Sequence, residues 1–159
     1  MNIRFGEPAD VPLIAELIRG LARYERLEHE VSLTHERLEQ TLFGPRRYAE
    51  VLIAEDGGEA AGFALFFHNY STFLAKPGIY LEDLYVRESA RGRGVGKALL
   101  ARLAALAVER ECGRLEWAVL DWNEPAIQFY RALGAKPMHE WTVFRLTREE
   151  ILKLAASQP

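Results

Sequence analysis

Residues 79–98 read Ile79-Tyr80-Leu81-Glu82-Asp83-Leu84-Tyr85-Val86, Arg87-Glu88-Ser89-Ala90, Arg91-Gly92-Arg93-Gly94-Val95-Gly96-Lys97-Ala98. The first eight are apolar apart from two carboxylates, which predicts a strand. The last eight are a glycine-rich turn opening into a helix whose apolar side carries Leu99, Leu100, Leu103, Leu106 and Ala107 at helical spacing. A further apolar run, residues 115–120, follows that helix. Strand, helix and strand in this order imply a parallel pair joined by a right-handed crossover.

Upstream, residues 48–55 and 60–70 are strand-like and flank Asp56-Gly57-Gly58-Glu59, a strong hairpin signal, so this part of the sheet is antiparallel. Residues 71–78 read as a loop. Residues 2–5 predict a short first strand, and Asp10 is expected to cap a helix through Ile14, Leu17, Ile18 and Leu21. A shorter helix is expected over 34–42, ended by Gly44-Pro45. Downstream, Pro125 opens a helix that stops at Gly134, residues 142–146 predict a last strand, and Thr147-x-x-Glu150 is a capping box for a final helix. The fold class is α/β: a mixed, mostly antiparallel sheet with helices on both faces. Repeats, low-complexity tracts and linkers do not interrupt residues 1–159, so one domain is expected.

Composition narrows the function. Apolar residues make up 49% and charged residues 27%, enough for a core under a solvated surface. A net charge of -3 disfavours nucleic acid as partner, since a phosphate backbone calls for a basic face. The single cysteine, Cys112, permits no intrachain disulfide. Residues 1–7 lack a signal-peptide core, and no apolar run nears the roughly 20 residues that span a bilayer. The expectation is a cytoplasmic protein without membrane contact. His29, His35, His68 and His139 show no ligand spacing, so no metal is expected.

The glycine turn is the first chemical signal. Glycines allow positive φ and close approach of a ligand, the first amides of the helix lack partners, and the helix dipole favours an anion there. Arg91, Arg93 and Lys97 add positive charge. The spacing is neither G-x-x-x-x-G-K-[ST] nor G-x-G-x-x-G, which excludes two familiar phosphate loops.

With Arg91-x-x-Gly94-x-Gly96 after a strand, and Asn123-Glu124-Pro125-Ala126-x-x-Phe129-Tyr130-x-x-x-Gly134 further on, the chain resembles the GCN5-related N-acetyltransferases. Tyr24-Glu25, Tyr80-Leu81-Glu82-Asp83 and Trp122-Asn123-Glu124-Pro125 make it most similar to the spermidine/spermine and thialysine acetyltransferase branch. The resemblance runs from the first helix to the last strand. It implies acetyl-CoA as co-substrate, held by Arg91, Gly92, Arg93, Gly94, Val95, Gly96 and Lys97 at the pyrophosphate, by the backbone of Leu84, Tyr85 and Val86 along the pantetheine, and by Asn123, Pro125 and Ala126 near the next helix.

Acetyl transfer to an amine sets clear demands. An alkyl ammonium has a pKa of about 10.4 and must lose a proton before it attacks a thioester, while the departing thiolate gains from a proton donor. Holding the two reactants together suffices, with neither metal nor enzyme nucleophile. The resemblance implies that Tyr130 is the acid and that Glu82 accepts the amine's proton through water. It implies amine binding by Tyr24, Glu25, Glu82 and Asp83. Neighbours in a strand alternate faces, so one of Glu82 and Asp83 is expected to face the amine and the other to face elsewhere. Trp122 and Trp141 are expected to pack the core. In the turn region, Ser71 replaces an acidic residue of the polyamine enzymes, which favours a short diamine or diamino acid over a long polycation. The branch implies a homodimer, with the segment around residues 141–146 and the final helix available for packing across a two-fold. Two other readings of the same features are a protein acetyltransferase, which would need a long open groove, and a CoA-binding module without catalysis, which the loss of Tyr130 or Glu82 would have favoured.

Overall fold

The computed structural model describes residues 1–158. The chain divides into two units, Met1–Ala118 and Val119–Pro159.

The first unit is built on a five-stranded sheet: β1 (Asn2–Phe5), β2 (Glu50–Asp56), β3 (Glu59–Ser71), β4 (Lys76–Val86) and β5 (Leu115–Trp117), in that spatial order. The first three pairings are antiparallel, and β4 and β5 run parallel, so the β-α-β reading of residues 79–120 holds. The crossover is α3 (Val95–Glu109), whose buried Val95, Leu99, Leu100, Leu103 and Leu106 form the expected apolar side. The opposite face carries α1 (Val11–Glu25) and α2 (His35–Leu42). There Ile14, Leu17 and Leu42 pack with Val51, Ile53 and Phe63 in a closed cluster, with Leu65 and Tyr85 at its margin. Burying side chains of this size stabilises by roughly 1.5–3 kcal/mol each.

Local signals succeeded and failed for identifiable reasons. Thr34 caps α2, its hydroxyl accepting from the Arg37 N–H at 3.2 Å. Asp10 precedes α1 but does not cap it. Its carboxylate instead accepts from the Glu7 N–H at 2.8 Å and from the guanidinium of Arg4 at 2.7 and 2.9 Å, tying the first strand to the helix entry. Residues 71–78 are not a loop. The β3 strand runs through Ser71 and β4 starts at Lys76, leaving only residues 72–75 as the turn. Gly78 sits in the ladder, where a Cβ would collide with the Asn69 carboxamide.

The second unit holds α4 (Glu124–Ala132) and α5 (Arg148–Ala155). Asn123 caps α4 by accepting from the Ala126 N–H at 3.4 Å. The helix closes in a Schellman turn, with Gly134 at φ +89° and the Ala135 N–H bonded to the Tyr130 carbonyl. The Thr147/Glu150 capping box forms as read from the sequence. Residues 142–146, expected as a strand, are irregular, with Val143 84% and Phe144 91% exposed. A strand exists only as a member of a ladder, and among the described residues no strand pairs with these. Trp122 and Trp141, expected in a core, are exposed as well.

Candidate active site

The sheet opens between β4 and β5. Parallel pairing of β4 with β5 covers only Ile79, Tyr80 and Leu81, while β4 continues to Val86. Beyond Leu81 the strand keeps β3 on one side alone. Its ladder there can be read residue by residue. The Arg87 N–H bonds the Ala61 carbonyl, so Arg87, Tyr85 and Asp83 direct their backbone groups towards β3. Leu84 therefore presents its N–H and C=O, and Val86 its N–H, to the open edge, while the outward Val86 carbonyl accepts from Arg91. Among the three residues expected to pair with a pantetheine arm, Leu84 and Val86 are suited and Tyr85 is not. Tyr85 instead sends its ring against Gly20 of α1, where a Cβ would lie 2.8 Å from the ring. Gly62 allows the same close fit from β3, since its Cβ would sit 2.5 Å from the Tyr85 carbonyl oxygen.

A bulge decides where the carboxylates go. Asp83 pairs with Leu65 and Leu81 with Phe66, which leaves Glu82 as the extra residue. Leu65 packs on the α1 cluster, and Tyr80 stacks on Phe67, two residues along the same face of β3, at 5.3 Å between centroids. Both Tyr80 and Asp83 thus face α1, although an unbroken strand would put residues three apart on opposite faces. Glu82, two after Tyr80, lies on that side too. The expected division of Glu82 and Asp83 between the faces is overturned by this one inserted residue.

Glu25, at the last turn of α1, joins them. Burial, then the charges of Glu82 and Glu25, push the Asp83 carboxyl up to about 7. Burial raises Glu25 above the ordinary carboxylate range. Tyr80 is likewise raised, by burial first and then by Glu82 and Glu116. Three carboxylates from two elements so close together suit a cation, because an ammonium would offset both their desolvation and their mutual repulsion. Tyr24 borders this cluster from α1, with the Arg91 guanidinium 4.6 Å from its ring centroid. Tyr80 was read only as part of the Tyr80-Leu81-Glu82-Asp83 run and given no role of its own; its place two residues before Glu82 in a strand was the available signal.

The glycine turn has the geometry of an anion seat. Gly92 and Gly94 take φ of +73° and +82°, and a Cβ on either would meet nothing within 4 Å, so their backbone has open space before it. The first helical bond of α3 runs from the Ala98 N–H to the Gly94 carbonyl, which leaves the amides of Val95, Gly96 and Lys97 without acceptors in the helix. The Val95 side chain points into the core and anchors the helix entry. Of the three cations, Arg93 forms an ion pair with Asp56, Arg91 donates to the Val86 carbonyl at 3.2 Å and covers Tyr24, and Lys97 is exposed.

In the second unit, buried Asn123 heads α4, Pro125 and Ala126 lie in its first turn, and Tyr130 stands in its last turn with its ring 5.4 Å from that of Phe129. Ser71 lies elsewhere. It is buried at the end of β3, its hydroxyl accepting from the Leu74 N–H at 3.3 Å. Its ladder partner Lys76 is six residues from Glu82, about 20 Å along the strand. Ser71 thus stands at the far end of the β3–β4 ladder from the three carboxylates.

Comparison with known proteins agrees with this geometry. Residues 14–135 match the Acetyltransferase (GNAT) family. A thialysine N-epsilon-acetyltransferase of Bos taurus is 37% identical over 96% of this chain and 96% of its own length. An L-ornithine N5-acetyltransferase of Arabidopsis thaliana is 36% identical over 94% of this chain and 86% of its own. An integron cassette protein from the mobile metagenome of V. cholerae shares the fold, with a TM-score of 0.83, 26% identity and 98% of each chain covered. An α/β acetyltransferase is the class that the fold and the family match define. The chain belongs to the GNAT acetyltransferase family. It is an N-acetyltransferase of amines, and the co-substrate of its family is acetyl-CoA.

Proposed function

We propose that the chain acetylates one amine of a small diamine or diamino acid, of the thialysine or ornithine kind, by direct transfer within a ternary complex. The observation that carries this reading is the convergence of Glu25, Glu82 and Asp83 beside the unpaired edge of β4. The substrates named for the two relatives above support it.

Acetyl-CoA supplies an activated acetyl thioester. The amides of residues 95–97, with Gly92, Gly94 and Lys97, hold its pyrophosphate, and Leu84 and Val86 align its arm as an added strand. Asn123, Pro125 and Ala126 are assigned to the coenzyme on their place in the motif. Glu25 and Asp83 hold the substrate's charged groups with Tyr24 as a wall. The Glu82 carboxylate accepts the proton that the reacting nitrogen must lose, through water. The Leu84 N–H, outward on the open edge, polarises the acetyl carbonyl. The Tyr130 hydroxyl donates the proton that the departing sulfur takes up. That role rests on motif position.

The test is an acetylation panel of thialysine, lysine, ornithine, spermidine and spermine with acetyl-CoA, run beside Tyr130→Phe. The short diamino acids should show the highest kcat/KM, and the variant should lose about 10²–10⁴ in turnover. A preference for spermine would overturn the substrate class, and normal turnover without the hydroxyl would move the acid elsewhere.

Residues 1–159 are taken as one cytoplasmic catalytic domain, since the family match crosses both units. We also propose a homodimer, supported by the apolar side chains that the second unit leaves exposed at Trp141, Val143 and Phe144. Sedimentation should give twice 18.1 kDa; the mass of one chain would refute it.

A further inference from the structure

Arg91 occupies a position between the two halves of the site. It follows a short helical turn, Glu88–Ala90, with extended backbone, and its Nε donates to the Val86 carbonyl at 3.2 Å. This bond takes up the outward oxygen of Val86 at the exit of β4 and fixes where the guanidinium lies. The guanidinium carbon then lies over the Tyr24 ring, 4.6 Å from its centroid. Tyr24 belongs to the last turn of α1, which also bears Glu25 and ends at Arg26 in the left-handed region, φ +62°. The same arginine stands three residues before Gly94, at the anion seat.

A guanidinium can serve both neighbours at once. It stacks through its flat faces and donates hydrogen bonds in its plane, so an anion bound at its edge does not displace an aromatic ring from its face. An anion that fixes the plane also fixes the ring beneath it. We propose that Arg91 is a positioning residue for the amine site, linking an anion seated at the glycine turn to the α1 turn that carries Tyr24 and Glu25, so that coenzyme binding raises amine affinity. The proposal rests on the functional reading above. Linkage then requires the amine to tighten the coenzyme by the same factor.

The decisive variant is Arg91→Lys, which keeps the charge and loses the planar stack. Two readouts separate this proposal from the functional reading. The first needs no amine: CoA alone is the probe, its affinity measured by calorimetry and hydrogen exchange followed in peptides covering residues 20–27. CoA should slow exchange there in the native chain, and Arg91→Lys should abolish that protection while weakening CoA by no more than about threefold. Absence of protection in the native chain with CoA bound overturns the proposal, and so does absence of CoA binding. The second readout is kinetic, with thialysine and ornithine. Arg91→Lys should raise the amine KM about 5–10-fold with kcat changed less than about twofold, a size expected for site-to-site coupling. Tyr24→Leu should act alike, Tyr24→Phe should raise the amine KM less than Tyr24→Leu does because the ring remains, and the Arg91→Lys/Tyr24→Leu double variant should be no worse than either single one. Additive effects, or a loss confined to the coenzyme KM, would show Arg91 to be a phosphate ligand only. Failure of the native chain to acetylate either amine would overturn the functional reading while the exchange experiment still decided the proposal.

Discussion

The two halves of β4 share one strand and differ in almost everything else. From Ile79 to Leu81 it has a neighbour on each side and buries Ile79 and Leu81 completely or nearly so. From Glu82 to Val86 it has β3 alone, carries two carboxylates, and turns two residues' backbone groups to an open edge. The change occurs at one bulged residue. A strand between two neighbours spends its hydrogen bonds on the sheet and its side chains on the core, and so contributes stability. A strand that loses one neighbour keeps backbone donors and acceptors for something else. The lesson is that Glu82 marks a division of labour within a single element.

Substitutions on either side of that residue should separate stability from chemistry. Ile79→Ala removes a fully buried side chain and should cost about 2–5 kcal/mol in denaturant unfolding. The folded fraction should keep its turnover within about threefold. Glu82→Gln changes an exposed side chain and should leave unfolding within about 0.5 kcal/mol, yet lower kcat by about 10²–10⁴ if it removes the proton acceptor. Measuring both quantities on both variants decides the matter. An Ile79→Ala protein that folds normally but has lost its catalysis would erase the division, as would a Glu82→Gln protein of normal turnover.

The division was only partly legible beforehand. Strand and helix over residues 79–109, the hairpin at Asp56–Glu59 and both C-terminal helices follow from periodicity and turn chemistry, which are local. The glycine turn was legible for the same reason: Gly92 and Gly94 adopt the positive φ that the lack of a Cβ permits. What escaped depends on partners. No local pattern shows that β3 takes Asp83 and Leu81 on successive residues, so the bulge and the shared face of Glu82 and Asp83 could not be read. Residues 142–146 have the composition of a strand, but a strand also needs a neighbour. Gly62 carried a usable signal, since an isolated glycine in an apolar run marks close backbone approach, here to the Tyr85 carbonyl. The position of Ser71 was misread because residues 71–78 were taken as a loop, whereas β3 runs through Ser71 and β4 begins at Lys76.

A finer probe of the same boundary is Asp83, which belongs to the functional half by charge and to the structural half by burial. Its carboxyl is pushed up to about 7, first by burial and then by Glu82 and Glu25. The folded chain therefore holds this proton more tightly than the unfolded chain, whose value is the ordinary one of about 3.9. Between these two values the folded state binds more protons, so stability falls as pH rises, and above about 7 the whole penalty is present. Asp83→Asn removes the penalty and should stabilise the protein by about 1–3 kcal/mol at pH 8, less than the full shift implies because the side chain is only partly enclosed. The gain should shrink to about 0.5 kcal/mol by pH 4, where the aspartate is protonated in the folded state and about half protonated in the unfolded one. Amine capture should run the other way: in the native enzyme kcat/KM for a cationic amine should fall as pH drops through about 7, because protonated Asp83 no longer attracts it. Unfolding of both proteins at pH 8 and pH 4 tests the first claim. A difference of the same size at both values would mean that Asp83 is an ordinary surface carboxylate and that the carboxylates at the bulge do not act on one another.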